Sequence, residues 1–152
     1  MNYKYRDYHK AYYNYKQAEN KLHNIQNDIV SIINSMISTT SQLKEIVTTN
    51  SYLNDKIDKL TTKKIELDEI QHLQIKVLEI RLEQLKNTER ELKDSKELKD
   101  VIYYKYFVNH KKVVKIASEI NFVPGYVYQM LREIKLDLLE IESEIRKNSK
   151  KK

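Results

Sequence analysis

The chain has 152 residues, a net charge of +6, 33% charged residues, one glycine, one proline and no cysteine. Without cysteine there is no disulfide, no thiolate nucleophile and no Cys-ligated zinc. A β-rich fold needs turn residues roughly every eight to twelve positions, so this composition leaves an all-α chain.

No apolar run approaches the roughly 18 residues of a membrane span; the longest, residues 29–37, is interrupted by Ser31, Asn34 and Ser35. The start of the chain is polar and tyrosine-rich rather than a basic stretch followed by an apolar one, so no signal peptide is read there and a cytoplasmic protein is expected. Residues 1–98 carry 16 Lys+Arg against 15 Asp+Glu, a balance of +1, whereas residues 99–152 carry 12 against 7, a balance of +5. Such asymmetry fits a polyanion-binding end on a neutral scaffold; AT-rich coding DNA and a solvated KNSKKK tail are the plain alternative.

In chain order, Tyr5, Tyr8, Tyr12, Tyr15, Ala18, Leu22, Ile25, Ile29, Ile32 and Met36 recur at intervals of three and four, the stripe of a long amphipathic or coiled-coil helix. Most of the early tyrosines lie on it, so packing rather than base stacking is expected of them; Tyr3 and Tyr13 fall off the stripe. Residues 38–51, STTSQLKEIVTTNS, are rich in residues that compete for backbone hydrogen bonds. They predict a chain reversal, with a short helix over 43–47.

Ser51, with Asp55 and Asp58 behind it, reads as the cap of a second long helix. Its stripe is Leu53, Ile57, Leu60, Leu67, Ile70, Val77, Leu78, Leu82, Leu85 and Leu92. Two such helices would pair antiparallel, so residues 1–94 are expected to form a coiled-coil hairpin, with dimerisation through any stripe left open. Asp94-Ser95 resets the pattern, with Glu97 in the next first turn. Residues 95–148 then read as a compact domain and 149–152 as a basic tail.

Within 98–139, LKDVIYYKYFVNHKKVVKIASEINFVPGYVYQMLREIKLDLL, several residues match the packing template of a helix-turn-helix. Small Ala117 sits where two helices nearly touch, and Ile116 and Ile120 bury the same helix. Asn121 tolerates the left-handed backbone of the turn, and Phe122 is expected to plug the corner. Val127 and Met130, three apart, face inward from the second helix. Pro124 suits the first turn of that helix, where its missing N–H is not needed. Gly125, without a Cβ, would let the helix start approach a phosphate; simple turn shaping is the other explanation of the Pro-Gly pair.

The same stretch resembles the fourth conserved region of bacterial sigma-70-type factors. The resemblance rests on the apolar helix ending in Tyr106-Phe107, on Ile116-Ala117-Ser118-Glu119-Ile120, and on Val127-Tyr128-Gln129-Met130. The whole chain, two long helices before this module, is similar in plan to small phage-encoded sigma-like proteins and to the ArpU/RinA-type phage transcriptional regulators. Those families usually carry Ser-Arg where this chain has Val123-Pro124. What the resemblance implies is binding of promoter-region duplex DNA and regulation of phage or prophage genes, with RNA polymerase as a second partner.

Read from the residues, a recognition helix beginning near Pro124 would enter the major groove by its N-terminal end. Tyr126, Tyr128, Gln129 and Arg132 are the base-reading candidates, Gln129 toward adenine and Arg132 toward guanine. Lys111, Lys112, Lys115 and Lys135, with Gly125, are candidates for phosphate contact. For each lysine, a solvated surface charge is the competing explanation.

No catalytic residue, metal site or cofactor is expected. His9, His23, His72 and His110 have no spacing that places two on one helical face, His110 reading instead as a cap or phosphate neighbour, and the acidic residues of 79–91 alternate with Lys and Arg as solvated faces do. Two other classes compete with a DNA-binding regulator. One is a module docking on RNA polymerase or another regulator through its helices, the other a structural coiled-coil protein.

Overall fold

The computed structural model describes residues 3–45 and 51–150, with side chains over 3–42 and 54–148. The described residues form an all-α architecture of α1 (Lys4–Glu45), α2 (Ser51–Asp94), α3 (Leu98–Tyr103), α4 (Val113–Ile120) and α5 (Pro124–Lys150). One wide π-helical turn, Tyr104–Val108, follows α3 directly. No helix among the described residues is long and apolar enough to cross a membrane.

Helices α1 and α2, of 42 and 44 residues, each extend about 65 Å at 1.5 Å per residue and pack on each other. The chain divides into two compact units at different points from the 94/95 boundary expected from sequence. Residues 16–80 form one; residues 1–15 and 81–152 form the other.

In the 16–80 unit the two helices run antiparallel: Ile32 and Leu67 line one groove, while Ala18 lies level with Gln74. The α1 stripe is inward as its spacing requires, with Ala18, Ile25 and Ile29 buried. On α2 the seam departs from the expected one. Ile70 and Val77 are exposed, and the buried position between them is Gln74, whose side-chain amide donates to the Ala18 carbonyl at 3.2 Å. A buried amide is tolerated there because the bond satisfies it.

Of residues 38–51, expected to form a reversal, those up to Glu45 belong to α1. Within that helix the hydroxyls of Ser35, Thr39, Thr40 and Ser41 each donate to the carbonyl four residues back, at 2.9–3.1 Å. Bonds of this kind satisfy the side chain without leaving the helix. The short helix expected over 43–47 is absorbed into α1 up to Glu45; the rest of it and residues 46–50 lie outside the described residues. α2 begins at Ser51 itself, and the cap expected of its side chain lies outside the described side chains.

The other unit is built around one apolar core. Ile102 and Tyr103 of α3, Val113, Ile116 and Ala117 of α4, and Val127, Leu131, Ile134, Leu138 and Ile141 of α5 are joined there by Leu92 and by Tyr5 from the start of α1. The buried α5 positions recur at three and four, the spacing of one helical face. Aromatic rings bind the start of α1 to α3: Tyr5 stacks between Tyr3 (5.5 Å) and Tyr103 (5.4 Å), and Tyr103 meets Phe107 at 4.9 Å. Of the tyrosines on the stripe, Tyr5 is fully buried and Tyr8 packs partly buried against this core, whereas Tyr12 is exposed; Tyr3, off the stripe, packs against the core as well.

Polar contacts complete this attachment. Asp100, fully buried, accepts from the backbone N–H groups of Lys4 (3.2 Å) and Tyr5 (3.0 Å) and from the Ser95 hydroxyl (2.7 Å). It is thus a cap for α1 supplied from 96 residues away, at the positive end of the helix dipole. Glu97, expected in the first turn of α3, instead flanks that helix and makes no side-chain cap. Along α5, the Tyr5 hydroxyl donates to Asp137, His9 Nε2 lies 3.1 Å from Glu142, and Tyr13 bonds Arg146. The rungs ascend together, so the start of α1 runs parallel to α5. Burial, then Asp137, pushes the Tyr5 phenol well above its ordinary range, and burial does the same to Tyr103.

Candidate nucleic-acid interface

The turn between α4 and α5 has the backbone its sequence requires. Asn121 adopts φ 61° and ψ 40°, left-handed, and the Phe122 N–H closes back on the Ala117 carbonyl at 3.0 Å. Asparagine is among the few side chains that accept this conformation at modest cost. Ile116, Ala117 and Val127 are buried where the two helices touch, and Ile120 and Met130 are partly buried against them. Phe122 does not plug the corner. It is 45% exposed and stacks on Tyr126 at 4.8 Å between ring centres, because Ile116, Ala117 and Val127 already fill the space between the helices.

With its apolar face committed to the core, α5 turns the opposite face outward: Gly125, Tyr128, Gln129 and Arg132 are exposed, Tyr128 by 59%. At about 100° per residue these four fall on one flank. Tyr126 does not join them. Two residues from Tyr128, it sits across the helix, half-buried under Phe122.

Gly125 has no internal reason to be glycine. Its φ is not positive, and a Cβ built on it would meet nothing within 4 Å. The first turn of α5 is therefore open surface at this position.

The candidate phosphate contacts separate into two groups. Lys111 is held at 2.9 Å by Glu119, which Lys105 also bonds. These two ammonium groups hold the Glu119 carboxyl down at about 2, against an ordinary 4.5. Lys135 lies over the Tyr106 ring, 5.6 Å from its centre. Lys112, Lys115 and Arg132 are exposed and have no acidic partner among the described residues. The nearby acids are engaged: Glu119 as above, Glu133 by Lys99 at 3.2 Å, and Asp137 by Tyr5. The three cations Lys112, Lys115 and Arg132 are left unneutralised among the described residues. His110, which the sequence placed as a cap or phosphate neighbour, is exposed in a left-handed turn, φ 54°.

Beside this surface, Tyr106, Tyr128, Leu136 and Leu139 line a shallow groove of about 400 Å³ rimmed by Arg132 and Lys135. Leu136 and Leu139 are both exposed. Sequence reasoning did not single these two out; their outward phase, one turn beyond Arg132, was the available signal.

Compared with known proteins, the chain matches no family model, no curated protein and no solved structure.

Proposed function

We propose that this chain is a non-enzymatic, sequence-specific DNA-binding transcriptional regulator of phage or prophage type, acting in the cytoplasm on promoter-region duplex DNA. One observation carries the reading: beside a left-handed Asn121 turn and a buried Ala117, α5 leaves Tyr128, Gln129 and Arg132 exposed on one face. Entering the major groove by its N-terminal end, that face would offer Gln129 to adenine and Arg132 to guanine. Lys112 and Lys115 would hold the backbone. The resemblance to sigma region 4 in 98–139 supports the same reading.

Exposed Ile70, Leu73, Val77 and Ile80, at 3-4-3 spacing on α2, support a dimer through the long helices, the arrangement that would present two recognition helices to two half-sites. A second reading is favoured by the groove with exposed Leu136 and Leu139: docking on RNA polymerase or another regulator. One experiment separates the two. The full chain is used to select duplexes from a random library at two salt concentrations, with and without RNA polymerase. DNA binding through several phosphates weakens steeply with salt; enrichment only in the presence of polymerase, or none, would overturn direct DNA reading.

A further inference from the structure

Val123 breaks a local rule with no internal compensation. Its carbonyl accepts the first bonds of α5, from the N–H of Tyr126 at 3.1 Å and of Val127 at 3.4 Å, so it occupies the cap position of the helix. Ser, Thr, Asp or Asn at that position would bond a free N–H of the first turn; valine bonds none. Nor does valine repay this by packing, since it is 68% exposed. An apolar, branched side chain projects into solvent at the tip of the helix, next to Gly125, which also lacks an internal reason. Local rules broken without compensation mark functional positions.

The surroundings indicate what covers it. Lys112, Lys115 and Arg132, on α5 and at or near the start of α4, are exposed without an acidic partner among the described residues, and under the proposed function the partner is duplex DNA. Along the major groove the apolar feature offered by an unmodified base pair is the C5-methyl of thymine. We infer that Val123 is a specificity-determining residue that packs on a thymine methyl at the edge of the recognised site. Duplexes carrying thymine there are preferred over those carrying cytosine or uracil.

The inference rests on the proposed DNA-binding function and is tested so that the two fail separately. The full chain first enriches a duplex from a random library; each thymine of that duplex is then replaced in turn by uracil, which removes the methyl and keeps every hydrogen-bonding group. With the wild-type chain, one uracil replacement weakens binding about fourfold, the worth of one buried methyl-sized group. With Val123→Ser, that replacement has no effect, while the melting temperature rises because serine caps α5. If no thymine is sensitive, or if Val123→Ser keeps the wild-type sensitivity, the inference is overturned and DNA binding stands. If no duplex is enriched, the proposed function falls and the inference with it.

Discussion

Asp100→Ala tests the framework that joins the start of α1 to α3 and α5. The carboxylate is fully buried and accepts from Lys4 N–H, Tyr5 N–H and the Ser95 hydroxyl at 3.2, 3.0 and 2.7 Å. Removing it leaves two helix-start N–H groups and a hydroxyl without their acceptor, the Tyr5 N–H in a fully buried bond and the other two in partly buried ones. A lost cap costs about 1 kcal/mol and a buried donor left unmet about 1–3 kcal/mol. The three donors share one acceptor group and do not add, so the loss is set at about 2–4 kcal/mol. For a chain of this length that lowers Tm by roughly 5–15 °C. Asp100→Asn, which keeps an acceptor oxygen for Tyr5 but turns a donor toward Lys4 and Ser95, falls between. Thermal melts followed by far-UV circular dichroism give the midpoint, and the near-UV tyrosine signal reports the Tyr5–Tyr103 stack. An Asp100→Ala midpoint within about 2 °C of wild type would refute the claim that α1 is clamped by this residue.

The remaining expectations concern the interface and its support. Arg132→Ala should weaken binding to the selected duplex by about 1–3 kcal/mol and relax preference at one base pair, without moving Tm; fluorescence anisotropy on a panel of single-base variants checks both. Lys112→Gln with Lys115→Gln should weaken binding uniformly across sequences and reduce the slope of log affinity against log salt by about 2. Glu119 is held near 2, below its ordinary 4.5, by Lys105 and then Lys111. Its contribution to stability is therefore complete above about pH 4.5 and lost as pH falls toward 2; Glu119→Gln should flatten the dependence of the urea midpoint on pH within that window. A fragment of residues 95–152 lacks Tyr5 and Leu92, both buried in the core of its unit, and should show poorly dispersed amide resonances where the full chain does not.

Much of the architecture is legible in sequence because it depends on neighbours along the chain. The three-four spacing of Ala18, Ile25 and Ile29 orients the inner face of α1 whatever packs there. The α4–α5 turn is similarly local: Asn121 reads as left-handed, and small Ala117 four residues before it allows two helices to approach. The outward phase of Tyr128, Gln129 and Arg132 follows once Val127 and Ile134 are known to face inward.

Other features depend on which surfaces meet. That Asp100 caps a helix beginning 96 residues earlier, that Tyr5 and His9 are joined to Asp137 and Glu142, and that Gln74 rather than Ile70 or Val77 enters the long-helix seam follow from no spacing rule. Lys111 and Lys112 are adjacent and chemically alike, yet the fold brings Glu119 to the first and leaves the second open; Phe122 matches the corner position of its template, yet other side chains fill that corner. Sequence alone determined the helices, the inner faces of α1 and α5 and the turn between α4 and α5, because backbone preference and helical periodicity act over a few residues. Only the tertiary structure decided which carboxylates neutralise which cations and which aromatic rings are buried, because those outcomes are set by competition among groups far apart in the chain for the same limited space and the same hydrogen-bond partners.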